Sequence, residues 1–255
     1  MSGLAIMKPL PMAVSSGGGP NINNVLTPSP REIWTANAAN VEQLIIIDMG
    51  VPAKIDCLYL GGTNADAATT WRLFKTDDAV GLNITAVFLA RPIRLVGAVK
   101  PPYNTAILLS ATVTSRYFYL YCGVGQTSAP LQIGNLAMGL AFSHPYAFGS
   151  GRAVVDMSRR TPFIDGGFGV EEGAVKSTLR WQFVDLEKPD LDTLYQIAID
   201  CGSSQPIVVI EDVPFPTQTA PEAAMVHYGL FDRLEAFERL DPRESRWSMS
   251  MEEWR

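Results

Sequence analysis

Histidine is almost missing from this chain: 255 residues contain only His144 and His227. Neither has a Cys or a second His at metal-ligand spacing, so a zinc site has no ligand set to draw on. Cysteine is scarce too. Cys57, Cys122 and Cys201 lie far apart, each within or beside an apolar segment. An odd, scattered set of this kind is expected as reduced, buried thiols in a protein made in a reducing cytoplasm. Charged residues are only 18% of the chain and the net charge is -6. No basic run occurs, which argues against a binder of the nucleic-acid backbone. No apolar stretch reaches the roughly 18 residues of a helical membrane span. The opening residues have Lys8, then Pro9, Pro11 and Gly17-Gly18-Gly19. They lack the apolar core of a secretory signal, and none is expected.

Catalytic signatures are also lacking. There is no Gly-x-Ser-x-Gly elbow, and Gly149-Ser150-Gly151 reads as a turn. The glycine clusters at 17–19, 123–125 and 166–169 lack the Gly-Lys-Ser/Thr ending of a phosphate loop and read as hairpin loops. Asp77-Asp78, Glu171-Glu172, Glu211-Asp212 and Glu252-Glu253 are adjacent carboxylates. Neighbours on a strand point to opposite faces, so these pairs read as solvated turns rather than acid–base pairs. No catalytic, cofactor-binding or metal residue is assigned, and the chain is not expected to be an enzyme.

What the chain does have is many short apolar runs. Hydrophobic residues make up 47%, enough for one large or two medium domains. Runs 44–47 and 55–60 flank Asp48-Met49-Gly50-Val51-Pro52 and predict two strands about a turn. Residues 82–89, 93–97, 105–113 and 115–122 predict further strands. In the last, Tyr117, Tyr119 and Tyr121 point one way and Phe118, Leu120 and Cys122 the other. Leu179, Trp181 and Phe183 alternate with Arg180 and Gln182, which predicts a strand with one buried face. Leu191, Leu194, Tyr195 and Ala198 recur at helical spacing over 190–200, with Pro189 before and Gly202 after. Strands are expected at 206–210, 225–229 and 246–254. Residues 233–240 read as a strand or a short amphipathic helix, and 159–169 and 211–224 as loop.

The order Trp34, apolar strand, Asp48-Met49-Gly50, Lys54-Ile55 strand and Trp71-Arg72 strand resembles the start of discoidin-like (galactose-binding-like) jelly rolls, with Met49 where Leu is usual. Arg116-Tyr117 and the 131–140 segment resemble their closing strands. This resemblance spans roughly 25–145. It implies a β-sandwich that binds glycans through loops at one end, with Trp34, Trp71 and Tyr103 as candidate contact aromatics. Core packing is the competing reading for Trp34 and Trp71.

Residues 175–255, with Leu179-x-Trp181-x-Phe183, the helix, Tyr228-Gly229 and the final alternating strand to Trp254, are similar to tail-tip or distal tail (minor tail) structural proteins of long-tailed bacteriophages. This implies a virion component at the tail tip, made in the bacterial host cytoplasm. Its partners would be itself in a threefold or sixfold ring, and neighbouring tail tube, hub and tip proteins. A host surface glycan is a further candidate partner; nucleic acid and membrane insertion are not expected.

The expected fold is therefore mainly β. Residues 1–24 form a flexible or neighbour-binding arm, 25–145 an N-terminal jelly-roll β-sandwich, and 146–255 a small α+β domain attached to the tail tube. The expected function is a phage tail-tip or baseplate subunit. The alternative is a glycan-binding module for attachment to a cell surface.

Overall fold

The computed structural model describes residues 2–78, 83–93, 102–214, 225–239 and 244–254. In chain order the strands are β1 (Ser2–Met7), β2 (Ala13–Ser16), β3 (Trp34–Thr35), β4 (Gln43–Thr63), β5 (Thr70–Thr76), β6 (Thr85–Pro92), β7 (Tyr103–Val124), β8 (Gln132–Ile133), β9 (Asn135–Gly139) and β10 (Ala141–Pro145). There follow β11 (Gly151–Asp156), β12 (Arg159–Pro162), β13 (Phe168–Glu171), β14 (Val175–Leu186), helix α1 (Lys188–Cys201), β15 (Ile207–Pro214), β16 (Val226–Leu234), β17 (Glu238–Arg239) and β18 (Ser245–Glu253). The protein is mainly β. It divides into two compact units, Met1–His144 with Pro206–Tyr228, and Pro145–Gln205 with Gly229–Arg255.

The first unit is built on one long ladder. β4 and β7 pair antiparallel from Gln43↔Cys122 to Thr63↔Tyr103. Early β4 is flanked by β2 and late β7 by β5, with β6 outside, in the order β2-β4-β7-β5-β6. Late β4 instead carries β9, with Leu58 opposite Met138. Ile45, Ile47, Leu73, Phe118 and Leu120 from one half of the ladder share one buried cluster with Leu58, Leu60, Ile107 and Met138 from the other. Two differently flanked halves enclosing one core make a β-sandwich.

The two strands expected at 44–47 and 55–60 are one strand. The segment between them is a bulge: Asp48 pairs with Tyr117 and Ala53 with Ser115, so β4 carries extra residues there. Asp48 Oδ1 accepts the Gly50 N–H at 2.8 Å, and Gly50 has φ 74°. The local turn chemistry was legible, but bulge and turn use the same residues. Residues 105–113 and 115–122 likewise merge into β7.

The first 24 residues are not a flexible arm but contribute two strands to this chain's own sheets. β1 pairs with β15 of the same chain, Ile6 opposite Val209, and Leu4, Ala5, Ile6 and Met7 are buried. β2 pairs with β4, Val14 opposite Ile47. Within this unit β10, β1, β15 and the start of β16 lie side by side. They cover the other face of late β4: Tyr59 stacks on Tyr228 at 5.5 Å and 8°. Asn104 joins the layers, accepting from the Tyr59 hydroxyl and donating to the Val226 carbonyl.

In the second unit, β18 lies between β14 and residues 229–234 of β16, with β11 beyond β14. Leu179, Trp181 and Phe183 of β14 are buried and Arg180 is exposed, as the alternation requires. Helix α1 starts beside Pro189 and ends where Gly202 takes φ 50° and donates to the Ala198 carbonyl. Leu191, Leu194, Ile197, Ala198 and Cys201 are its buried face. Tyr195, expected on that face, is half exposed at its margin, its ring meeting Phe237 and Trp247. Residues 159–162 and 168–171, expected as loop, form a separate β12–β13 hairpin. Residues 233–239 contain no helix; they end β16 and form β17. The loop expected at 211–224 starts as strand through Pro214, and its remainder, like most of 93–97, lies outside the described residues. Residues 206–228 return to the first unit, so 146–255 is not one contiguous domain.

If β1 is integral to the fold, Ile6→Ala should lower stability by about 2–5 kcal/mol in urea unfolding. A loose arm would tolerate the change within about 0.5 kcal/mol.

Candidate binding surface

The three aromatics proposed from sequence are not a platform. Trp34, Trp71 and Tyr103 are 0%, 1% and 3% exposed and belong to the sandwich core. Trp34 lies on β3 against β8, and Trp71 on β5 beside Phe88. The Tyr103 hydroxyl donates to the Ala65 carbonyl at 2.9 Å. A ring without an open face offers a sugar nothing to stack on, so these residues hold the loops from inside.

Those loops are satisfied by one another. Asp66 accepts the backbone N–H of Thr127 and of Ser128, at 2.7 and 2.8 Å, and the Ser128 hydroxyl at 2.6 Å. Asn64 donates to the Pro130 carbonyl and accepts the Gln132 N–H. Gln126 Oε1 accepts from Asp66 N and the Thr69 hydroxyl. The Ser128 hydroxyl, then the two amides, hold the Asp66 carboxyl below the usual carboxylate range. The loop end is thus knit shut by its polar groups.

The open surface lies on the outer face of the other end of the ladder. Ile45 and Ile47 point into the core, so Leu44 and Ile46 point out, half exposed. Leu44 is opposite Tyr121 and Ile46 opposite Tyr119. Across β7, Tyr121 faces Arg72 and Tyr119 faces Phe74. The Arg72 guanidinium sits 5.0 Å from the Tyr121 ring centroid and donates to Glu42 Oε1. Phe74 meets Tyr121 edge-on at 5.6 Å and 83°. At the far end of the row Arg116 lies 4.8 Å over Tyr117 and grips Asp48 with two bonds, 2.9 and 3.1 Å. That hydrogen bonding lowers the Asp48 pKa despite partial desolvation.

Beside this row runs a groove of about 500 Å³, lined by Ser15, Ser16, Gly17 and Gly18, by Asn37, Val41 and Glu42, and floored by Leu44 and Ile46. The glycines expected as part of a loose lead form its wall. A Cβ on Gly18 would lie 1.6 Å from Gln43 Oε1, and one on Gly19 would lie 2.4 Å from the Thr35 carbonyl. The Gln43 side chain could swing away from a side chain at position 18, but the Thr35 backbone could not from one at 19, so Gly19 is what the close approach requires. The groove therefore combines an apolar floor, a carboxylate held by a guanidinium, two serines and an amide, and the half-exposed Tyr121 lies next to it on β7, opposite Leu44. Sequence reasoning missed Glu42, Arg72 and Asn37 because their association depends on register. Tyr121 was within reach, since the alternation of 117–122 set the three tyrosines opposite the core residues.

Elsewhere, His227 Nε2 lies 2.7 Å from Glu211 Oε1, both within the first unit. His144 stacks on Phe142. Burial raises the thiol pKa of Cys57 and pushes that of Cys122 up to about 12. Among the described residues, no three His, Cys, Asp or Glu side chains converge to hold a metal ion, and no helix is long and apolar enough to cross a membrane.

No family model matches the chain, and no curated protein matches it. Solved structures do. The family 32 carbohydrate-binding module of Clostridium perfringens NanJ, in complex with galactose, has 9% identity and a TM-score of 0.42, covering 52% of this chain and 98% of its own. The module of that type from AlyQ, in complex with 4,5-unsaturated mannuronic acid, has 18% identity and a TM-score of 0.41, covering 51% and 96%. Chitosan-binding module 1 of a Paenibacillus sp. IK-5 chitosanase/glucanase has 16% identity and a TM-score of 0.39, covering 51% and 95%. The class defined by the chain's own strands is a mainly β protein with a β-sandwich unit.

The Asp66 clamp gives a pH test. Its folded carboxyl is lowered from an unfolded value of about 3.9, so its stabilisation is present above that value and fades as pH falls through the folded one. Asp66→Asn should therefore melt below wild type at neutral pH, and the gap should close in acid. A gap unchanged down to strongly acidic pH would contradict the clamp.

Proposed function

We propose that the first unit is a glycan-binding module, using the groove beside Tyr121 rather than the loop end. The observation that carries this reading is the Glu42–Arg72–Tyr121 group, whose Glu42 lines the groove. Sugars present apolar C–H faces and adjacent hydroxyls. An aromatic ring and an apolar floor suit the first, and charged planar groups held in place suit the second. Arg72 is fixed by both Glu42 and the Tyr121 ring, so little side-chain entropy remains to be lost on binding. The discoidin-like order of Trp34, Asp48-Met49-Gly50 and Trp71 agrees with a jelly-roll reading of this unit.

A glycan panel screened against the full-length chain tests this. Tyr121→Ala and Glu42→Gln should each weaken the best-bound sugar about tenfold, the first by removing the ring and the second by releasing Arg72. Variants that bind like wild type, or a wild type that binds no sugar on the panel, would exclude this groove.

A second reading has its own support in the second unit. Phe163, Ile164, Phe168 and Val170 of the β12–β13 hairpin are exposed, as are Phe148, Val154 and Met157 before it. A two-stranded sheet is marginal alone, and a large exposed apolar patch marks a contact site. This favours a structural subunit that forms a ring by protein–protein contacts, as at a phage tail tip or baseplate. The particle mass of the purified chain tests it. Closed rings of three or six copies that Phe168→Asp disperses are expected; a strict monomer at high concentration counts against it.

A further inference from the structure

We propose that the second unit carries a site for a carboxylate-bearing polyhydroxy ligand of the uronate type, centred on Arg180 and Arg233. It lies on a different unit from the Tyr121 groove and does not depend on the function proposed for that groove.

The site follows from register. Gly151 pairs with Arg180, Arg180 with Ser250, and Arg233 also with Ser250, so the four residues form one row across β11, β14, β18 and β16. Leu179 and Trp181 point into the interior, which sends Arg180 to the outer face. Met249 and Met251 are buried in the same way, which sends Ser250 outward. The two arginines thus stand on either side of one serine, about 9.5 Å apart along the sheet at two strand spacings. Long side chains so placed can close on one anion between them. The row ends at Gly151, where an added Cβ would meet nothing within 4 Å, so the basin stays open on that side.

The basin measures about 440 Å³. The Arg180 side chain makes no hydrogen bond or ion pair among the described residues, and the Arg233–Glu235 contact is long at 3.5 Å. Both forks are therefore available to an incoming carboxylate, whose two oxygens match guanidinium geometry. The acidic groups decide between anions. Asp232 and Glu235 also line the basin, and Asp232 accepts the Ser250 hydroxyl at 3.3 Å. Arg152 lines the basin as well, so three arginines stand against two carboxylates, a surplus of one positive charge that favours a monoanion over a dianion such as phosphate. The two carboxylates suit a singly charged ligand whose hydroxyls donate to them while its carboxylate meets the arginines. The floor of Thr178, Ser248 and Ser250 is polar and small, with no aromatic ring in the lining. That floor distinguishes this basin from a site for a neutral sugar.

The test is calorimetric titration of the full chain with glucuronate, glucose and inorganic phosphate. Glucuronate should bind, more weakly as salt is raised, with glucose and phosphate at least about tenfold weaker. Arg180→Gln and Arg233→Gln should each lower glucuronate affinity about tenfold, with unchanged melting temperature because both side chains are exposed. Arg180→Lys keeps the charge but loses the fork and should recover only part of the affinity. Phosphate binding as tightly as glucuronate would overturn the carboxylate assignment. Unchanged glucuronate affinity in both glutamine variants, or no glucuronate binding at all, would overturn the site.

Discussion

The β4–β7 ladder is the constraint on which the first unit depends. Its strands are fixed to each other over most of their length, so the two-residue period of each side chain set is fixed as well. Once Ile45, Ile47, Phe118 and Leu120 are committed to the dry side, Leu44, Ile46, Tyr119 and Tyr121 have no choice but the other. A one-residue slip would exchange the two sets and place tyrosine hydroxyls in the core. The groove face is thus a by-product of core packing. Its apolar floor exists because branched residues suit both faces of a long strand.

The second dependence is on close approach. The amino-terminal segment threads between elements that come from far along the chain. β1 lies against β15 while β2 edges β4, and the short connections pass tightly over what they cover. Gly139 shows the tolerance: a Cβ there would sit 2.4 Å from the Lys8 carbonyl. The Gly17-Gly18-Gly19 loop, whose composition resembles that of a disordered lead, passes close to Gln43 and Thr35, and its Gly18 carbonyl accepts the Asn37 N–H. Composition alone does not separate a flexible glycine run from one selected for approach, because both need a residue without a side chain.

This also sets what was legible in the sequence. Strand-rich architecture, the alternation of β14, helix α1 and the outward direction of Tyr117, Tyr119 and Tyr121 depend on neighbours within a few residues, and local patterns report them. The partner of β1 lies some two hundred residues away, and no local pattern encodes it. Strand ends at Asp48-Met49-Gly50 misled because a bulge uses the φ > 0 glycine and the aspartate–amide bond of a turn. The candidate site suffered from a different ambiguity. Trp34, Trp71 and Tyr103 are candidates because they lie in or beside the loops that the resemblance makes the sugar-binding end, but large rings are also what a sandwich core buries first. The Glu42–Arg72 contact joins the residue just before β4 to β5, two strands that lie on either side of β7, so it could not be read without the sheet order.

Charge makes a last point about reading sites from sequence. The chain carries -6 overall, which speaks against an anionic partner if the charge is taken as spread evenly. It is not spread evenly. Arg116 and Arg72 are each tied to a carboxylate and stacked on a tyrosine, so their charge is locally balanced and their planes are fixed. Arg180 has no such tie, and the contact that Arg233 makes is loose. Screening in salt confines an exposed charge to about 10 Å, roughly the width of the basin these two share. What a ligand meets there is the guanidiniums of Arg180 and Arg233, with Arg152 and the carboxylates of Asp232 and Glu235 in the same lining. The distant acidic residues that set the net charge act on it only weakly. Tied arginines suit the ordering of hydroxyls, and untied arginines suit the capture of an anion. The two surfaces therefore differ in chemistry although both present arginine on the outer face of a sheet.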